Sequence, residues 1–155
     1  MGPALVDSMI LMHYDNNQKP AVDWREESVE NGWQFYVSIV SVMERLKGIS
    51  GISGSRERAL RDFEDRLQTL RRERKIVLVL PLTKRVAQRA HSLILEYCRS
   101  KTPPSDRSRM EALICDMLIA ATALEKRLPL FTFNAKDFSW ISGLTWEKPD
   151  YEVDA

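Results

Sequence analysis

Residues 76–80 form an unbroken run of apolar side chains, from Ile76 to Leu80, and Pro81 ends it. A short run without any polar residue is typical of a strand in a parallel sheet whose two faces are both covered. Sheets of that kind occur in proteins in which strands alternate with helices. The run therefore predicts an α/β fold with a small, mainly parallel sheet.

The other patterns along the chain agree with this alternation. Further strands are predicted at 4–6, 33–40, 128–133 and 144–147, where apolar, aromatic and β-branched residues cluster. Helices are predicted from Met9, between Pro20 and Gly32, over 42–47 before Gly48, over Leu60–Leu70, after the Thr83 cap, and after the capping box Ser108–Glu111. Residues 50–55 are predicted to be a flexible loop, because they contain only glycine, serine and one isoleucine.

Composition limits the classes of function. The chain has 155 residues, which suits one domain, and its 23 basic and 22 acidic residues give a net charge of +1. This balance argues against a protein that coats nucleic acid by bulk charge, so any such contact needs a local patch. We find no apolar run near the roughly 20 residues of a membrane span and no signal-peptide pattern. The two cysteines form no CxxC pair, and a reduced, cytoplasmic location without membrane contact is expected.

Asp116 is the most informative single residue. It lies in a predicted helix among uncharged and mostly apolar neighbours, where a carboxylate is costly unless it is paired, hydrogen-bonded or bound to a metal. Asp7 poses the same question, because it lies between an apolar strand and an apolar helix start.

Two further carboxylates follow predicted strands, as Asp7 itself does. Ligands of open α/β sheets bind outside the carboxyl ends of the strands, and Asp7, Glu44 and Asp137 all come after such ends. If they meet Asp116, four carboxylates would repel one another and raise one another's pKa. A divalent cation removes that conflict, and oxygen ligands without Cys or His favour Mg²⁺ or Mn²⁺.

Each carboxylate also has a purely structural interpretation. Asp116 could be tied to a backbone amide or an arginine, and Asp7 could cap a helix, which is compatible with metal binding. Glu44 could be a surface residue, since basic residues flank it. Asp137 could cap the turn that precedes Phe138.

Three stretches of sequence resemble a known family. Ala4-Leu-Val-Asp7-Ser8 resembles the opening motif of PIN-domain nucleases, and Ser38–Gly48, which contains Glu44, resembles their second acidic motif. The segments 116–123 and 130–138 are similar to the C-terminal signature of VapC-type toxins of bacterial toxin–antitoxin pairs. The resemblance extends from residue 4 to about 148.

The resemblance implies a PIN-like three-layer α/β/α nuclease domain over residues 1–148. The acidic residues after Pro149 predict a disordered tail at 149–155. It implies a Mg²⁺- or Mn²⁺-dependent endoribonuclease that cuts structured RNA, such as loops of transfer or ribosomal RNA. The carried-over catalytic and metal-binding positions are Asp7, Glu44, Asp116 and Asp137. Asn134 is an alternative to Asp137, and Ser8 and Thr132 match hydroxyl positions that support the site.

The resemblance also implies partners, namely a cognate antitoxin protein and a second copy of the chain in a homodimer. The basic residues Arg71, Arg72, Lys84 and Arg85 are candidates for RNA contact, although a solvated helix end explains the first two as well.

Two other classes of function remain open. A PIN-like RNA- or protein-binding module that cuts nothing would be expected to lack an acidic position, and here all four are filled. A doubly wound phosphotransfer or phosphatase domain usually has a second acid in an Asp-x-Asp arrangement, but this chain has Asp7-Ser8-Met9.

Overall fold

The computed structural model describes residues 1–50 and 56–153. The strands in these ranges are β1 (Gly2–Val6), β2 (Trp33–Ser38), β3 (Leu78–Leu80), β4 (Leu130–Phe131) and β5 (Trp146–Glu147). The helices are α1 (Ser8–Asp15), α2 (Lys19–Glu30), α3 (Ile39–Ser50), α4 (Arg56–Arg72), α5 (Lys84–Ser100), α6 (Arg107–Lys126) and α7 (Ala135–Phe138). The part of the predicted loop at 51–55 lies outside the described residues.

The five strands form one sheet in the order β3-β2-β1-β4-β5. Every pair is parallel; Val6, for example, lies opposite Val37 of β2 and Phe131 of β4. The strand order changes direction between β1 and β4, and a crevice opens at such a point beyond the carboxyl ends of the strands.

The sheet separates two hydrophobic cores. In β1, Leu5 faces a core that includes Met117 of α6 and Leu93 of α5. Its neighbours Ala4 and Val6 face the opposite core, which includes residues of α1, α2 and α4. This alternation along one strand is what two covered faces require. The predicted α/β/α fold with a small parallel sheet is confirmed.

Several predicted element boundaries are wrong. The strand expected at 33–40 ends at Ser38, whose hydroxyl accepts a hydrogen bond from the Val40 backbone at 3.1 Å as α3 begins. Gly48 does not end α3, which continues to Ser50. Asp106, rather than Ser108, caps α6, because its carboxylate accepts hydrogen bonds from two backbone amides of the first turn. The cap at Thr83 is confirmed.

The apolar run that suggested the fold is only partly covered. Its strand is limited to Leu78–Leu80, and Leu78 is 42% exposed. The expectation of two covered faces fails because β3 lies at the edge of the sheet. Strands β4 and β5 are likewise shorter than the predicted 128–133 and 144–147.

The segment after Pro149 packs on the domain as far as Val153. Tyr151 is buried, and its hydroxyl lies 2.8 Å from Nδ1 of the buried His13. This packing differs from the disorder expected for the tail. The reason is the ring of Tyr151, which joins one of the two hydrophobic cores. The domain boundary at 148 stays a prediction. No helix in the described ranges is both long and apolar enough to span a membrane.

Candidate active site

Asp7 lies directly after β1 and caps α1 with its side chain. Oδ1 accepts a hydrogen bond from the Ser8 backbone amide at 2.7 Å, and Oδ2 accepts one from the Thr132 hydroxyl at 2.7 Å. Thr132 follows β4, so this second bond bridges the crevice between β1 and β4. Burial raises the pKa of Asp7, and the charge of Asp137 adds to the increase, while the two hydrogen bonds oppose it. Helix capping and a role in the site therefore coexist in one residue.

Glu44 reaches the site from the second turn of α3. Its Oε1 accepts a hydrogen bond from the Ser8 hydroxyl at 2.6 Å, and that hydroxyl also lies 3.0 Å from the buried Ser41 hydroxyl. Partial burial raises the pKa of Glu44, and the nearby charge of Asp7 raises it further. Glu44 thus faces the site, which is not what its basic neighbours in the sequence suggested.

Asp116 carries the strongest electrostatic signal in the site. Its pKa is raised from 3.8 to about 8, first by burial and then by the charges of Asp7, Asp137 and Glu44. In the described part of the chain, its carboxylate has neither an arginine nor a backbone amide as a partner. The structural interpretation of Asp116 therefore has no contact to support it.

Asp137 lies in α7, and its side chain is exposed. Its charge raises the pKa of both Asp7 and Asp116, so all four predicted carboxylates interact at one rim of the sheet. Asn134 lies at the start of α7, where its backbone amide donates to the Thr132 hydroxyl at 3.0 Å and its side chain makes no capping bond.

The oxygen atoms of the site are the type of ligand that a hard divalent cation prefers. In their present positions they do not form a complete set of ligands for one ion. Among the described residues, no three His, Cys, Asp or Glu side chains lie close enough to hold one ion together. Two of the carboxylates are instead held by hydroxyl groups, those of Ser8 and Thr132. To bind one ion together, these side chains would have to rotate. Burial and the other carboxylates disfavour the ionised form of Asp116, and a bound cation would favour it.

The basic residues singled out from the sequence lie apart from the carboxylates. Arg71 lines a cavity with Trp33 and Val77, and Arg85 lines one with Glu125; neither cavity contains any of the four acids. Arg72 donates to Thr69 within α4, and Lys84 is exposed at the start of α5. Their contact with RNA stays a prediction.

Sequence reasoning missed a buried ion cluster behind the site. Asp15, at the end of α1, accepts hydrogen bonds from Arg45 of α3 and Arg66 of α4, and its side chain is only 2% exposed. The partners are 30 and 51 residues away in the chain, so no local pattern indicates them. The cluster ties α1, which Asp7 caps, to α3, which carries Glu44, and to α4.

The fold and the site together define a class of protein, a parallel α/β domain with a cluster of carboxylates at the carboxyl ends of its strands. A family model described as PIN domain matches residues 4–143. The chain belongs to the PIN domain family.

Solved structures show the same fold. The chain is similar to the crystal structure of VapBC2 from Rickettsia felis bound to a DNA fragment from their promoter, with a TM-score of 0.69, 17% identity, and coverage of 96% of this chain and 98% of that chain. For VapBC-1 from nontypeable Haemophilus influenzae the TM-score is 0.65 and the identity 23%, over 96% and 98% of the two chains. For a toxin-antitoxin complex from Klebsiella pneumoniae the values are 0.59 and 25%, over 97% and 99%. No curated protein matches the sequence.

Proposed function

We propose that this PIN domain is a Mg²⁺- or Mn²⁺-dependent endoribonuclease, a hydrolase of the VapC type that acts as the toxin of a bacterial toxin–antitoxin pair. The observation that carries the proposal is Asp116, an unpartnered carboxylate whose pKa is raised to about 8 by burial and by three other carboxylates. Strongly perturbed groups of this kind in a cleft are typical of catalytic sites. Similarity to structures of VapBC complexes supports the assignment to toxins.

Asp7, Glu44, Asp116 and Asp137 are the residues that would hold the cation. When bound, such an ion lowers the pKa of a water molecule and neutralises charge on the scissile phosphate. Thr132 fixes one oxygen of Asp7, and Ser8 fixes one oxygen of Glu44, which leaves the other carboxylate oxygens of the site available. Because its charge already acts on Asp7 and Asp116, Asp137 suits the fourth position better than Asn134 does.

The substrate we propose is a single-stranded loop of a folded RNA, for example in transfer or ribosomal RNA. Exposed bases can be recognised there, and a chain with a net charge of +1 cannot retain RNA of every shape. We further propose a cytoplasmic homodimer that a cognate antitoxin inhibits, with a basic side chain of the antitoxin placed at the carboxylates.

Cleavage of RNA by the purified chain tests the nuclease proposal. It should require Mg²⁺ or Mn²⁺ and stop with EDTA, and Asp116→Asn should lower the rate about a hundredfold or more, because it removes charge at the metal site. Asp106→Asn is a matched control on the same helix, since asparagine also caps helices. If a folded Asp7→Ala, Asp116→Asn double variant kept full activity, the assignment of the site would be wrong.

Growth of bacteria tests the toxin proposal. Expression of the chain alone should arrest growth, while Asp116→Asn or co-expression of the protein encoded by the adjacent small reading frame should restore it. Normal growth with abundant, soluble wild-type chain would favour the alternative, a PIN-like module that binds but does not cut. The presence and mutual interaction of all four carboxylates favours the enzyme.

A further inference from the structure

A cavity of about 250 Å³ lies beside the carboxylates, and Asp116 and Asp137 form part of its wall. The same cavity is lined by three exposed cations: Lys101 directly after α5, Arg109 in α6 and Lys136 in α7. Lys101 lies outside the motifs that the sequence singled out. Arg109 lies in the Ser108–Glu111 stretch and Lys136 in the 130–138 segment, but neither was a candidate for binding. A substrate that reached Asp116 from this side would lie against the three cations, because Asp116 is part of the same cavity wall.

The three cations have no carboxylate partner in the described part of the chain, although two acids line the same cavity. Some other exposed arginines are paired, for example Arg89 with Glu125 and Arg107 with Glu111, whereas Arg85 and Arg99 also have no carboxylate partner among the described residues. Unpaired cations keep their hydrogen-bond donors free for a phosphate group.

Lys101 is held in position by aromatic rings. Its ammonium group lies 5.4 Å from the centre of the Tyr97 ring and 5.2 Å from the centre of the Trp140 ring. The two rings contact each other edge to face, and the Trp140 indole donates a hydrogen bond to the Asp137 carbonyl at 3.0 Å. The position of this cation is therefore linked to the helix that carries Asp137.

Arg109 lies on the same face of α6 as Asp116, because seven residues are close to two helical turns, with a rise of about 10 Å. A phosphate bound at Arg109 thus belongs to a nucleotide near the scissile bond, not to a remote part of the RNA. The cavity is smaller than the roughly 300–1,000 Å³ of pockets that enclose drug-sized ligands, so its size suits a single nucleotide unit.

We propose that Lys101, Arg109 and Lys136 form a phosphate subsite for the nucleotide next to the one that is cut, with Tyr97 and Trp140 holding Lys101 in place. The proposal rests on the proposed ribonuclease function. The subsite compensates for the repulsion between a polyanionic substrate and four carboxylates in a chain of low net charge. It gives the enzyme affinity for RNA where the carboxylates oppose it.

Equilibrium binding of a short, fluorescein-labelled single-stranded RNA tests the subsite. The full chain carrying Asp116→Asn is used in Mg²⁺, so that cleavage is slow while the three cations remain. Adding Lys101→Gln and Arg109→Gln should weaken binding about tenfold or more. It should also reduce the slope of log K against log salt by about 0.7, the value for one phosphate contact in a single strand.

Two other residues provide the matched control. Arg99→Gln and Lys126→Gln remove the same charge from exposed positions outside the cavity, and they should change affinity less than twofold. A variant with Lys101→Arg and an intact Arg109 should bind RNA as the parent chain does, since arginine keeps the charge and also packs on aromatic rings. Equal losses in the subsite and control variants would overturn the proposal in favour of bulk charge.

The outcome for the subsite can be separated from that of the nuclease. If the wild-type chain cuts RNA but the subsite variants bind and cut normally, the subsite is wrong and the nuclease stands. If the subsite variants lose RNA affinity while the wild-type chain cuts nothing, the subsite stands and the nuclease is wrong. The subsite variants are also tested for binding to the protein from the adjacent reading frame. If they bind RNA normally but no longer bind that protein, the subsite is wrong and these cations contact a protein partner.

Discussion

Asp116→Asn should stabilise the metal-free protein at alkaline pH. The carboxyl group has a pKa of about 8 in the fold, compared with 3.8 ordinarily. The folded chain therefore binds this proton more tightly than the unfolded chain does. The corresponding stability is complete below about pH 4 and is lost as the pH rises to about 8.

The size of the effect follows from the same values. A tenfold change in proton affinity is worth about 1.4 kcal/mol, so the ionised form would cost at most about 5 kcal/mol at pH 8. Solvent screening and protonation of the other carboxylates lower this cost, and we expect ionisation of Asp116 to reduce the free energy of unfolding by about 2 kcal/mol. For a domain of this size that corresponds to roughly 4–8 °C in the melting temperature.

Thermal unfolding in EDTA at pH 5 and pH 8.5 measures the effect. The wild-type chain should lose more stability than Asp116→Asn between the two pH values, and Mg²⁺ should restore it in the wild type only. Asp106→Asn should behave like the wild type, because its charge lies at the exposed start of the helix. An identical pH dependence of wild type and Asp116→Asn would refute the reasoning, since the raised pKa would then have no thermodynamic consequence.

Three further substitutions test the surroundings of the site. Thr132→Val should lower the cleavage rate about tenfold, because Asp7 loses the hydrogen bond that orients it, whereas the exposed Thr145→Val should not; equal rates would contradict that role. Asp15→Asn should lower the free energy of unfolding by about 3 kcal/mol in chemical denaturation, since it leaves two arginines without their buried partner; a loss below about 1 kcal/mol would show that the cluster is dispensable. Tyr151→Phe should lower the free energy of unfolding by about 1 kcal/mol, because it removes the hydroxyl that bonds the buried His13; an unchanged midpoint would show that this hydrogen bond adds nothing to stability.

Local sequence was sufficient for the class of fold and for the prediction that four acidic residues lie near one edge of the sheet. Apolar runs and helical spacing depend only on neighbouring residues, and the carboxyl ends of parallel strands meet at one edge in any sheet of this type. Asp7 and Asp137 could be placed there without knowing the order of the strands. The ends of elements were less predictable. At Ser38, for example, β2 ends and the serine hydroxyl accepts a hydrogen bond from the first turn of α3.

The tertiary structure decided what surrounds those acids. The edge position of β3, the Asp15 cluster and the cations Lys101, Arg109 and Lys136 all depend on which elements lie side by side. The pKa of Asp116 depends on the same placement, because three of its four causes are charges on other elements and the fourth is burial. Electrostatic energy depends on distance in space, and the sequence records only distance along the chain.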